Sequence, residues 1–335
     1  MKLTAFDQVM IYDGSGPAGA AREAVELAVA AERLGYHRFW VAEHHGVSGG
    51  CGSPEVLVAA AASATGRIRV GTASVLLPYY APLKVATTFN LLERLFPGRI
   101  DLGVGRGPGA VPAVSRRLAR EGEAPYEEKL AELLRILTSE GPEHSLPESG
   151  RPDFWLTGSG TGGALAAARH GLPFCFAQFV HGELRPEVVE RYREEFRPGP
   201  FGSEPRVGVC VRTAVAEDPR DARALRSLVD WIADAGRGAA LPAGVLPSWR
   251  ELREYRPAVA SPDGFAVLAG VPEEVGGKVS ELVDAYRPDE LVVTTACPEL
   301  ALRVRVFELV GQMMKRQLAS EGGLVSLDPV GTAGI

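Results

Sequence analysis

The sequence predicts an α/β chain folded as a (β/α)8 TIM barrel. Three observations lead there. Strand-like and helix-like segments alternate eight times along the chain. The strand segments are apolar on both faces, as parallel strands covered by helices are. The length, 335 residues, is that of one such barrel. An open doubly wound sheet is the alternative.

In order, residues 3–9 form a short apolar strand, and "AGAAREAVELAVAAERLG" (18–35) carries apolar residues at helical spacing up to a stop at Gly35. "HRFWVA" (37–42) is a strand. "SPEVLVAAAASATG" (53–66) is a helix with Ser53 as N-cap and Pro54 at its first position. "IRVGTASVL" (68–76) is a strand, "APLKVATTFNLLERLFPG" (81–98) a helix ended by Pro97-Gly98, and "RIDLGVG" (99–105) a strand. An Arg-rich polar stretch precedes the helix 125–141, and a Pro/Gly/Ser loop covers 142–152. The second half repeats the pattern: strand 153–158, helix 161–171, strand 172–179, helix 185–196, strand 206–216, helix 218–236. Residues 237–272, rich in proline and glycine, read as an insertion before the last unit. The helix 273–287, the strand 289–295 and the helix 298–318 complete a single domain over 1–318, with a loose tail over 319–335.

With 46% apolar and 23% charged residues there is ample core, and a formal charge of −6 leaves no basic footprint for nucleic acid or anionic membrane. No apolar run approaches the ~18 residues of a span. Asp7 falls where a signal peptide would be apolar. Cys51, Cys175, Cys210 and Cys297 lack CxxC spacing and read as reduced thiols, so a cytoplasmic location is expected.

Active sites of such barrels lie at the C-terminal strand ends. There the sequence collects Glu43-His44-His45 (second strand), Thr72-Ala73-Ser74 (third), Arg106 (fourth), Ser159 (fifth) and Gln178 (sixth). Any one of these is also what an ordinary strand end looks like; together they mark a rim. His44 and His45 are adjacent on extended chain, so they point apart and do not share one metal ion. No HExxH occurs, and no metal site is expected. A histidine acid/base fits better, with an ordinary pKa of about 6.5.

"GVGRGPG" (103–109) would allow close approach of a ligand, with Arg106 as cation; read blandly, it is a solvated loop. "GSGTGG" (158–163) follows a strand and opens a helix, an arrangement that binds phosphate through backbone amides. It sits on the fifth unit, and the next strand ends in Ala177-Gln178, not an acid, so a dinucleotide fingerprint is disfavoured. Arg106 and this turn would hold a terminal monophosphate such as that of FMN.

"RFWVAEHHG", "RIRVGTASVLLPYYAPLKVA", "FPGRIDLGVGRG" and "GLPFCFA" resemble the luciferase-like flavin monooxygenases, the superfamily of bacterial luciferase, over most of the chain. The resemblance is nearest to members found beside antibiotic biosynthesis genes. It implies a barrel that uses reduced FMN (FMNH2) and O2, supplied with FMNH2 by a separate NAD(P)H:flavin reductase, and that forms a flavin C4a-hydroperoxide to oxygenate a small hydrophobic or aromatic substrate, possible polyketides included. It implies His44 as catalytic residue, with Glu43 or His45 orienting it. A non-proline cis peptide at Ala73-Ser74 would lie against the flavin ring. Arg106, Ser159, Gly160 and Gly163 would bind the phosphate, and Gln178 would touch the ring. Gly105 stands where luciferase has a reactive cysteine, which argues against thiol chemistry and leaves room beside C4a. Tyr79, Tyr80, Phe179 and Trp249 are candidate substrate walls, with ordinary rim packing as the equal alternative. The resemblance also implies a homodimer through helices beside strands two and three. Three alternatives stand: the same fold using F420 for hydride transfer, a non-catalytic flavin-binding barrel, and a metal-dependent barrel hydrolase.

Overall fold

A computed structural model describes residues 1–46, 48–107, 109–119, 123–139, 141, 144–148, 150–236, 245–257 and 264–320. The expected tail beyond 320, and residues 237–244 and 258–263 of the expected insertion, lie outside the described residues.

The elements are β1 (Lys2–Asp7), α1 (Gly16–Leu34), β2 (Arg38–Ala42), α2 (Pro54–Ala64), β3 (Arg69–Leu76), α3 (Pro82–Leu95), β4 (Ile100–Gly105), α4 (Pro112–Leu118), α5 (Tyr126–Thr138), β5 (Asp153–Gly158), α6 (Thr161–Arg169), β6 (Phe174–Ala177), α7 (Pro186–Glu194), β7 (Val207–Val215), α8 (Pro219–Gly236), α9 (Trp249–Glu254), β8 (Leu268–Gly270), α10 (Pro272–Tyr286), β9 (Glu290–Thr294) and α11 (Leu300–Ser320). Strands β1 to β7 and β9 pair in parallel, and the pairings β6–β7, β7–β9 and β9–β1 close the ring, so the expected eight-stranded barrel is present. Short β8 stands outside it, paired to the far end of β7.

Local signals explain the helix ends. α1 stops at Gly35, whose φ of 83° no side chain favours, and Pro54 and Pro82 open α2 and α3. Described residues between α8 and β8 bond to the chain just beyond two of the ring strands. Leu246 exchanges backbone hydrogen bonds with Ile11 and Asp13 beyond β1, and Phe265 N donates to Gly182 O beyond β6.

Strand alternation stacks the barrel interior in layers. At the N-terminal end Arg38 meets Asp101 at 2.7 Å, Asp153 at 2.9 Å and Glu290 at 2.9 Å. Arg69 adds a bond to Asp101, and Arg206 one to Asp153. Three guanidinium groups therefore face three carboxylates. Burial works against ionisation of Asp153, but Arg38 and Arg206 outweigh it and hold the carboxyl below its usual range. Above this plug Trp40 and Trp155 meet edge to face with centroids 5.4 Å apart, beside Phe6, Cys175, Cys210 and Val292.

The glycines of "RIDLGVG" have a packing reason. A Cβ at Gly103 would lie 2.1 Å from Thr72 O, and one at Gly105 would lie 2.9 Å from Ser74 Cβ. β4 can therefore lie this close to β3 only without side chains there. β3 is irregular at that point: Val41 pairs with Thr72 but Ala42 pairs with Ser74, so Ala73 bulges. The Ala73–Ser74 peptide is trans, which corrects the expected cis bond; the bulge takes up the change of direction.

Candidate active site

A cavity of about 540 Å³ opens at the C-terminal end of the barrel. Of the sequence-predicted residues it gathers His44, Ala73, Ser74, Gly105, Arg106, Ser159, Gly160, Gly163 and Phe179 along its walls, with Trp40 among the lining side chains.

His44 is held by Gln8. Its Nδ1 lies 3.1 Å from Gln8 O, and a carbonyl only accepts, so Nδ1 carries the hydrogen and Nε2 bears the lone pair. Burial pushes the imidazole pKa down, opposed by the Gln8 hydrogen bond and by Glu43. His44 is thus a neutral base with a fixed tautomer on the cavity wall.

Glu43 does not orient it. The Glu43 carboxylate, 1% exposed, accepts from Leu76 N at 2.8 Å, Tyr80 Oη at 2.7 Å and His45 Nε2 at 2.6 Å. His45 and Tyr80 thereby belong to a hydrogen-bonded cluster behind the rim, away from the cavity lining. Tyr79 completes that cluster, edge-on to His45 and bonded to Ser115.

The glycine-rich turn builds the other end. α6 starts at Thr161 after Gly160 with no side-chain cap, so its first amides are open. Added Cβ atoms at Gly160 and Gly162 would meet nothing within 4 Å, which leaves free space above those amides. Exposed Arg106 lines the same end with Tyr126. His181 Nε2 donates to Ser159 O at 2.6 Å and fixes the turn. Together these groups could cradle an anion.

Three expectations shift. Gln178 is fully buried and turned away: its amide donates to His181 O and Glu183 O, and its carbonyl accepts from Tyr286 Oη. The cause is local. β6 ends at Ala177, and the 3-10 turn Gln178–Val180 places Phe179, not Gln178, on the cavity. Gly105 leaves no vacancy, since Ser74 Cβ and Thr157 Oγ1 sit where its Cβ would point. Trp249, on α9, packs with Tyr12, Leu228, Leu246 and Leu252 and does not line the cavity.

Sequence reasoning passed over several lining groups. Gln8 follows the first strand, and the rim had been read only from the second. Cys175 and Cys210 alternate into the barrel from β6 and β7, and burial raises both thiol pKa values, which favours the neutral thiol form. Arg212, which is not itself on the cavity lining, was signalled by a lone charge inside the apolar strand "VGVCVRTAVA". Its guanidinium lies 4.9 Å from the Phe179 ring centroid. Among the described residues no group of three or more His, Cys, Asp or Glu side chains could hold a metal ion.

Comparison with known proteins shows the family to which the fold belongs. The family described as luciferase-like monooxygenase matches residues 1–287. The chain is 35% identical to the uncharacterized protein YwcH of Bacillus subtilis (strain 168), covering 92% of this chain and 98% of that one. It is 33% identical to the N-acetyl-S-alkylcysteine monooxygenase of the same organism, covering 88% and 92%. The crystal structure of apo-MsnO8 superposes with a TM-score of 0.84 at 31% identity, covering 94% and 98%.

Proposed function

Since the chain belongs to the luciferase-like monooxygenase family, we propose that it is an FMN-dependent monooxygenase that consumes FMNH2 and O2 and adds one oxygen atom to a small apolar or aromatic substrate. The observation that carries this reading is one cavity with an anion cradle at one end and a neutral, oriented histidine at the other. The residues fit FMN. The open amides of α6, Ser159 and Arg106 would hold its phosphate, and the wall formed by Trp40, Ala73 and Ser74 suits a flat ring.

When bound, reduced FMN supplies the two electrons that activate O2, one oxygen atom going to the substrate and the other leaving as water. The chain contributes the rest. The Trp40–Trp155 floor and the tight β3–β4 contact exclude water from below. His44 Nε2 holds or delivers the proton that the transfer requires, and Gln8 O keeps its tautomer. A separate NAD(P)H:flavin reductase supplies the reduced cofactor. Val56, Leu91 and Leu95, exposed on α2 and α3, form an apolar face suited to a homodimer. The relative named for N-acetyl-S-alkylcysteine makes thioethers the first substrates to try.

The test is anaerobic titration with photoreduced FMN, then O2 and a thioether panel, with products read by mass. We expect a product one oxygen heavier. His44→Ala should keep FMN binding and lose turnover by about 10²–10⁴-fold. Failure to bind reduced FMN, or binding of F420 in its place, would refute the proposal.

A further inference from the structure

Beside the cavity lies a second cation that neither the cofactor grip nor the acid/base chemistry uses. On β7 the residues Gly208, Cys210 and Arg212 share the inward face, and Cys210 lines the cavity. On β9, Val292 and Thr294 do the same, and the two strands pair Arg212 with Thr294. Both ends of that pair carry orphaned polar atoms. Arg212 Nε and Thr294 Oγ1 are buried without a hydrogen-bond partner, and no carboxylate faces Arg212 among the described residues. The fully buried guanidinium groups are treated differently: Arg38 faces three carboxylates, and Arg303 faces Asp7 and Glu23.

Arg212 as a whole is only partly buried, so its terminal N–H groups keep some exposure, and an unpaired, partly desolvated charge of this kind persists where a ligand neutralises it. The stacking of Arg212 on Phe179 fits that role. A ring face fixes the guanidinium plane without consuming any N–H, so the in-plane donors remain for a bidentate acceptor. The position adjoins the cavity: the Phe179 ring that Arg212 stacks on lines it, and so do Cys210 and Val292, each two residues before the pair on the same strand face.

Taking the monooxygenase reading as its premise, we propose that the substrate is an organic acid whose carboxylate seats between Arg212 and the Thr294 hydroxyl, with the carbon to be oxygenated, or a thioether sulfur, beside His44. The cradle at Arg106 and α6 is left to the cofactor phosphate. The competing source of negative charge for this cation is the reduced flavin ring itself.

The experiment uses the full-length protein, FMN-free and FMN-loaded. N-acetyl-S-benzylcysteine, phenylacetate and hexanoate are each titrated against their primary carboxamides, followed by tryptophan fluorescence and flavin absorbance. We expect at least one acid to bind about tenfold more tightly than its amide, as charge-assisted bonds imply. Arg212→Met should erase that preference, Thr294→Val should reduce it, and FMN affinity should stay within about twofold in both. Arg212→Met should also raise the Tm, since it removes an unpaired, partly desolvated charge. Acids with no advantage over their amides in the wild type would overturn the proposal. So would a loss of reduced-FMN affinity in Arg212→Met, which assigns the cation to the flavin, or a lower Tm, which assigns it to the fold. If the wild type bound no FMN, the monooxygenase reading would fall, while the acid-over-amide preference is still read on the FMN-free protein.

Discussion

Neighbouring side chains on the extended segment after β2 leave in opposite directions, so His44 meets Gln8 O while His45 meets Glu43. Their shared motif made both look catalytic; only the carbonyl donated by β1's continuation separates them. That was not legible, because a backbone carbonyl has no residue signature. His37, half-buried at the opposite end of β2, illustrates how burial sets a pH limit. Burial first, and then the Arg38 and Lys2 charges, push its pKa down to about 4. The unfolded chain takes up this proton near pH 6.5. Between about 6.5 and 4 the unfolded state therefore binds more protons, and stability falls as the pH is lowered through that window. Urea midpoints measured at pH 7 and 4.5 should drop less in His37→Gln than in the wild type. Equal drops would remove His37 from the acid limb.

β3 and β4 are the elements where backbone spacing decides which side chains are tolerated. Gly105→Cys, which restores the luciferase-like residue, should destabilise the protein by about 1–3 kcal/mol through overpacking against Ser74 and Thr157. Ser74→Gly should recover part of the loss in urea unfolding, and a Gly105→Cys protein as stable as wild type would show that the strands can part. Eight ring strands and the helices between them were legible from apolar runs bounded by Gly and Pro, because parallel strands buried on both faces have no other reading of that length. The short elements were not. β8 is three residues long and is a strand only because the end of β7 pairs with it, and α4 buries no residue, so its sequence carries no apolar period. The reading of strand six through residue 179 ran past Ala177 into a 3-10 turn, which is why Gln178 was placed on the wrong side.

Charge is distributed along the whole barrel axis. At the N-terminal end Arg38 is the hub of a balanced cluster, whereas the cavity end holds Arg106 and Arg212 with no carboxylate on either among the described residues. Arg38→Met would strand Asp101, Asp153 and Glu290 with two arginines between them, and should cost about 3–5 kcal/mol by urea denaturation at pH 7. A loss below about 1 kcal/mol would mean that the plug is dispensable. The forked pairing of β7 separates the ring from what is attached to it. Residues 208–212 lie against β9 within the ring, and residues 213–215 lie against β8 outside it. The appended segment is thus hung from the strand's far end, and its length can change without breaking a single ring hydrogen bond. What stands at the mouth can therefore change while the ring strands keep their partners and register.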